Sequence, residues 1–434
     1  MYNTSKGYKE KILEDSTQHE LNIYIDGNKI EPNHIVDFSL TLELFNNDEF
    51  CLGCTPEKDI EFEIDKRDLP KAYEKVYVET GVNDEIIPIG HFTIQSIEDD
   101  EFKVKIKATD YMKKFEDTKY DGSNLIYPKT MLEVLKDICI KVGVELGSTS
   151  FLNSEKQIAV YDNTVTARTY LGYIAEQAGG FAVIGRDGKL YIKNFGKDTI
   201  DFDINLFGDF TWGDKFKVSK VSYEDGIQNY KFGDEAQATV FIDQNNMYIV
   251  DSEQVENIYN QIKDFEVYTF EGETIIDPAY DIGDILVIDG KKVLFQGELE
   301  YAGKFKANIK SKIQAKTEQE SMQTKQSNSS KIKRVQSEIN QIDGKITQLV
   351  QETSEHEEKL TKVEQDVDSI KQNVKDVIDY KREVENVSEL HITDAGKYEI
   401  LKLEIKGNKE FVSELYPRTN LFPRAGLQPN QKGG

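Results

Sequence analysis

From Ile332 to Val377 apolar residues recur at alternating steps of three and four without a break, and this heptad pattern constrains the chain more than any other feature. A straight helix drifts off a 3.5-residue repeat within a few turns, so a repeat this long predicts a left-handed coiled coil. The a positions are Ile332, Ile339, Ile346, Thr353, Leu360, Val367 and Val374; the d positions are Val335, Ile342, Leu349, His356, Val363, Ile370 and Val377. β-branched residues at d disfavour dimers and shift the preference towards trimers or tetramers; a parallel homotrimer with these side chains as its core is expected. At ~1.5 Å per residue the segment makes a rod of roughly 70 Å, a spacer more than a core element. Thr353 and His356 form adjacent polar layers, read as devices that hold the register.

Upstream the period changes to two. Leu21, Ile23 and Ile25 alternate with polar residues before Asp26-Gly27-Asn28, a hairpin signal. Phe38, Leu40, Leu42 and Leu44, then Ile60, Phe62 and Ile64, then Phe102, Val104 and Ile106 repeat the alternation, each strand with one buried and one wet face. A first β block is predicted over 1–110. Thr130 to Glu133 is a capping box opening a helix with Leu132, Leu135, Ile138, Cys139 and Val142 at helical spacing up to Gly143. A second helix fits Ala167 to Ala178 with Gly179-Gly180 as its stop, and a hairpin turns across Arg186-Asp187-Gly188. These make a small α+β block over 111–204. Strand patterns return over 205–315, clearest at 285–288, 293–295, 299–301 and 305–309, as a second β block. The fold class is thus α+β, mostly β: two antiparallel β domains flanking the α+β domain. A linker follows at 316–330, the coiled coil at 331–380, and the start of a C-terminal β domain at 381–434, which reads as truncated.

A chain of 434 residues suits roughly three such folded units. Its 54 Lys plus Arg against 79 Asp plus Glu leave a net charge of −25, which repels phosphate backbones and argues against specific DNA binding. No run of about 18 apolar residues predicts a membrane span, and the polar start lacks a signal peptide, so synthesis in a cytoplasm is expected. The cysteines are Cys51, Cys54 and Cys139; reduced thiols are the expectation, and a strand-turn reading of Cys51 to Cys54 is preferred to half of a zinc site. The histidines, His19, His34, His91, His356 and His391, form no HExxH and no pair. Glu98 to Glu101 reads as a solvated turn. No catalytic residue, metal ligand or cofactor is nominated.

Asp110-Tyr111-Met112, Thr130 to Ile138, Thr169 to Phe181, Asp281 to Asp284 and Leu299 to Phe305 together resemble the N-terminal region of tail-associated (Tal-like) proteins of siphophages, over about residues 10–315. The resemblance implies the fold of the trimeric baseplate hub of contractile phage tails, in which two β domains per chain build a ring of pseudo-sixfold symmetry. It further implies a virion tail-tip location, a distal tail protein ring and the tape-measure protein as neighbours, and a distal fibre or receptor-binding part. Phage DNA would pass through without specific binding. Some members carry peptidoglycan hydrolase or endopeptidase domains, which makes a lytic tail enzyme the alternative; no such motif follows the rod here. A trimeric adhesin stalk is disfavoured by the missing signal peptide.

Overall fold

Alternation of apolar and polar residues produces the strands, and burial of the apolar face fixes their register. A computed structural model describes residues 1–315 except 15, 46–47, 69–73, 121, 123–124, 159–164, 197–198 and 226–227, and then 368–369, 371–373, 391–392 and 398–399. The chain divides into two units, Met1–Glu338 and Ile339–Gly434. In the second, the described strands are a short antiparallel pair, His391–Ile392 with Tyr398–Glu399, at the start of the strand-like stretch expected after the rod.

In the first unit α1 (Lys6–Lys11) precedes β1 (Glu20–Ile25), β2 (Asn28–Lys29), β3 (Ile35–Leu42), β4 (Lys58–Asp65), β5 (Lys75–Val82), β6 (Glu85–Asp99) and β7 (Lys103–Asp110). Asp26 and Gly27 both take positive φ, 48° and 82°, the two left-handed residues that a tight primed hairpin turn needs. On the wet face Glu61 lies opposite Lys107, Glu63 opposite Lys105 and Asp65 opposite Lys103. Such exposed pairs add little stability, about 0–1 kcal/mol each, but a slip of one residue would turn Phe62 and Ile106 to water. Phe102 departs from expectation: it sits in the turn before β7 and is 72 % exposed, so the buried alternation begins at Val104.

The middle block holds α2 (Met112–Asp117), β8 (Lys129–Thr130), α3 (Met131–Val142), β9 (Gln157–Ile158), α4 (Ala167–Gln177), β10 (Gly180–Ile184) and β11 (Leu190–Asn194). Both capping-box bonds of Thr130 and Glu133 are present, and Gly143 closes α3 in the left-handed conformation. Its core stripe is Met131, Val134, Leu135, Ile138 and Cys139, an i, i+3, i+4, i+7, i+8 face; the expected Leu132 and Val142 lie on its half-buried flanks. Cys139 is a free, buried core residue.

The third block comprises β12 (Thr199–Phe202), β13 (Phe207–Glu224), β14 (Asn229–Gly233), β15 (Ala238–Phe241), α5 (Ser252–Ile262), β16 (Glu266–Ile275), β17 (Ile285–Ile288), β18 (Lys291–Leu294), β19 (Gly297–Tyr301) and β20 (Phe305–Ser311). Strands β12, β17 and β18 form a small sheet of their own. The remainder does not stand apart from the first block. β19 pairs antiparallel with β3, Leu299 opposite Leu40, so the two β blocks are one 13-stranded sheet running from β14 to β2. A single apolar core follows that sheet through both, while the middle block keeps a core of its own around α3 and α4.

Candidate functional site

The residues expected to form the trimer core, Ile332, Val335, Ile339, Ile342, Ile346, Leu349, Thr353, His356, Leu360, Val363, Val367, Ile370, Val374 and Val377, lie outside the described residues. What the described residues bring together is a pair of three-way joints, at each of which the first β block, the middle block and the second β block meet.

The first joint is apolar. Phe50, on the loop after β3, lies with its ring centroid 5.0 Å from Phe195 of the middle block and 5.0 Å and 5.2 Å from Phe216 and Phe265 of the second β block. Phe45 packs at a tilt against Phe50 at 5.3 Å and Phe181 against Phe195 at 5.2 Å. Ring pairs at these separations add about 0.5–1.5 kcal/mol beyond the area they bury. Backbone bonds hold the loop in place: Gly53 N–H donates to Gly180 O at 2.8 Å and Ala182 N–H to Cys54 O at 2.9 Å. At Gly53, with φ +73°, a Cβ would meet Gly172 O at 2.5 Å, so the close approach to α4 requires glycine. The thiols depart from the reduced expectation, for Cys51 and Cys54 are joined as a disulfide across this turn. The turn at Gly53 folds the chain back and brings the two Cα atoms to 6.3 Å, within bonding range.

The second joint is charged. Arg186, 9 % exposed, sits in the β10–β11 turn. Its Nε donates to Asp281 Oδ1 at 2.7 Å, one terminal nitrogen to Pro88 O at 2.8 Å, and the other to Pro278 O at 2.8 Å and Tyr280 O at 2.9 Å. One guanidinium thus ties the middle block to β6 and to the 277–284 loop, using the planar donor fork that lysine lacks. Burial alone would raise the Asp281 carboxyl; Arg186 foremost, then Lys193 and Lys58, overcome this and hold it well below the usual carboxylate range. The Met1 α-amino group adds contacts to Asp281 at 3.5 Å and Asp284 at 2.7 Å.

Beneath it lies a buried lysine and carboxyl. Lys58 donates from Nζ to Ile184 O at 2.6 Å, and burial lowers its pKa. Asp110 accepts Met112 N–H on Oδ1, while Oδ2 is buried without a partner. Burial raises its pKa to about 7, against the pull of Lys58. Each group is pushed towards its neutral form for the same reason, the cost of charge away from water. A third tie runs from α4: buried Glu176 accepts Asp243 N–H at 2.8 Å and the Asn246 side-chain N–H at 2.7 Å.

Apart from Asp110 Oδ2, these groups are spent on backbone carbonyls and N–H groups and on neighbouring side chains, the signature of a clamp. Among the described residues no cluster of His, Cys, Asp and Glu could hold a metal ion. His19 is consumed structurally, its Nδ1 accepting Phe305 N–H at 2.9 Å while Nε2 donates to Ile12 O at 2.7 Å. Burial pushes the Cys139 thiol up to about 12, far from a reactive thiolate. Glu98 to Glu101 is exposed, but only Asp100 and Glu101 lie in the turn; Glu98 and Asp99 end β6, paired with Lys105 and Val104. Sequence reasoning passed over Arg186 and Phe50; the available signals were an arginine in a hairpin turn between apolar strands and a phenylalanine beside a glycine-bearing cysteine turn.

No family profile matches the sequence, and no curated protein matches it. Among solved structures the chain is similar to the 43 kDa tail protein of prophage MuSo2 from Shewanella oneidensis. They share 13% identity over 68% of this chain and 100% of that one, with a TM-score of 0.46. It is also similar to a tail protein from Neisseria meningitidis MC58, at 11% identity over 67% of this chain and 95% of the other, with a TM-score of 0.43.

Proposed function

We propose that this chain is a structural hub protein of a phage or prophage tail tip, a homotrimer that closes the tail tube and links it to a distal fibre or receptor-binding part. The observation that carries the reading is the β3–β19 pairing, which fuses two β blocks into one 13-stranded sheet. A subunit that must present two β domains side by side to a ring above it needs them held at a fixed spacing. A continuous hydrogen-bonded sheet does this without a hinge, and the Phe50 and Arg186 joints lock the middle block against it. The β-branched residues at d support an assembly larger than a dimer by an independent argument. In the tail the partners would be the distal tail protein ring and the tape-measure protein. A charge of −25 would let DNA slide past without sticking.

Sedimentation equilibrium of the full chain tests this: a mass three times that of the single chain is expected, and a mass of one or two chains overturns it. Zymography on peptidoglycan separates the hub from a lytic tail enzyme, the hub giving no cleared band.

A further inference from the structure

On the wet face of the first β block a row of aromatic rings crosses neighbouring strands. Tyr24 on β1 is the register partner of Tyr77 on β5, which is the partner of His91 on β6. Their ring centroids lie 5.7 Å and 4.8 Å apart, and Tyr111, from the start of the middle block, continues the row 6.2 Å beyond His91. Cross-strand pairing alone would account for rings on adjacent strands, at about 0.2–1 kcal/mol per pair. It does not account for the cavity of about 400 Å³ that these rings line together with Asp26 and Lys75. Nor does it explain which polar groups there are already used. Asp26 accepts the N–H groups of Glu74 and Lys75, and Glu79 is taken by Tyr24 and Asn22. By contrast, among the described residues the ring nitrogens of His91 make no hydrogen bond and the Lys75 ammonium makes no ion pair. The floor is preformed: at Gly188, φ +75°, a Cβ would lie 3.2 Å from Tyr111 and 3.4 Å from His91, so the β10–β11 turn presses on the rings.

We propose that this cleft is a binding site for a short, uncharged saccharide of one or two rings, seated against the Tyr24, Tyr77, His91 and Tyr111 row and hydrogen-bonded by Lys75 and His91. Its volume is at the small end of ligand pockets, about 300–1,000 Å³. Ring surfaces interleaved with unspent donors match a molecule whose rings have apolar faces and hydroxyl rims. Cations are disfavoured because the protein's own lysines take the ends of the row: Lys114 lies 3.7 Å over the Tyr111 ring and Lys29 6.0 Å over Tyr24. Polyanions gain nothing, because Asp26, Glu74 and Glu79 beside the row offset Lys29, Lys75 and Lys114. Burial lowers the His91 pKa, which leaves the ring neutral near pH 7 with one donor and one acceptor, the complement of a hydroxyl.

The site is independent of the trimer and of the tail reading, and is tested on the full chain by calorimetric titration with cellobiose, with N,N′-diacetylchitobiose and with choline chloride. Saturable binding of at least one disaccharide is expected, weakened tenfold or more by Tyr77→Ala and by His91→Ala and unchanged by Trp212→Phe in the second β block. His91→Ala, on a half-buried side chain, gives the answer if Tyr77→Ala does not fold. Absence of saturable binding by both sugars, saturation by choline alone, or full sugar affinity in the His91→Ala protein overturns the proposal.

Discussion

The Phe50 joint and the Arg186 joint hold the same three blocks together, yet they respond to different insults. The first is a knot of rings whose stabilisation grows with the area removed from water and involves neither titration nor charge screening. The second is one cation whose every contact is directional, so its value is realised only when Pro88, Pro278, Tyr280 and Asp281 are all in place. An apolar joint tolerates small shifts between blocks; a guanidinium fork sets their relative position within a few tenths of an ångström. The pair suggests a division of labour, adhesion at one joint and alignment at the other.

The largest effect is expected from Phe50→Ala, which opens a cavity where three blocks meet and should cost about 3–5 kcal/mol, read as a lower midpoint in denaturant titration. A loss below about 1 kcal/mol would mean that the joint is not a shared core. Next comes Arg186→Met, which keeps the stem and removes the fork. Breaking a buried pair costs about 3–5 kcal/mol, and the lower end is expected because Lys193 at 3.8 Å and the Met1 α-amino group at 3.5 Å still face Asp281. The combination with Phe50→Ala should be additive within about 0.5 kcal/mol if the joints act separately.

A graded effect, spread over several pH units and comparable at its limit to the loss of Arg186, concerns the carboxyl beneath the charged joint. Burial raises the Asp110 pKa from 3.8 to about 7 in the folded chain, so folding takes up a proton between those values. The stabilisation is complete below about pH 4 and is lost as pH rises to about 7, with a slope of up to about 1.4 kcal/mol per pH unit. His19, whose pKa is lowered foremost by burial, acts oppositely and weakens the fold as pH falls below about 6.5. The comparison is therefore made as a difference. Melts of the parent and of Asp110→Asn across pH 4–8 should show the parent losing stability relative to the variant as pH rises; parallel curves would refute the assignment. The smallest effect is expected at Cys51–Cys54. Closing so short a loop stabilises by about 2 kcal/mol at most, so reductant should lower the melting temperature by only a few degrees and leave the Arg186 joint intact.

Local features were readable because their causes are local. Asp26-Gly27, the Thr130 and Glu133 box and the Gly143 stop each involve residues within four positions, and the core position of Cys139 follows from helical spacing. The β3–β19 junction was not readable, since alternation looks the same whichever strand a strand pairs with, and Leu40 and Leu299 carry no mark of each other. Phe102 misled because a period-two run cannot show where a turn ends. Arg186 looked like an ordinary turn residue, and only the arrival of the 277–284 loop from far along the chain makes it a clamp. The aromatic row was hidden for the same reason: Tyr24, Tyr77 and His91 sit on separate strands, far apart in the sequence.

The β3–β19 pairing also imposes a schedule. Residues 39–42 meet residues 297–300, about 250 positions later. At a synthesis rate of about 5–20 residues per second, β3 waits roughly ten seconds to a minute with one side open, an edge able to accept a wrong strand. Under the proposed trimer, the heptad segment leaves the ribosome only after β19, so it would recruit other chains once each sheet already has the strands to close within its own chain.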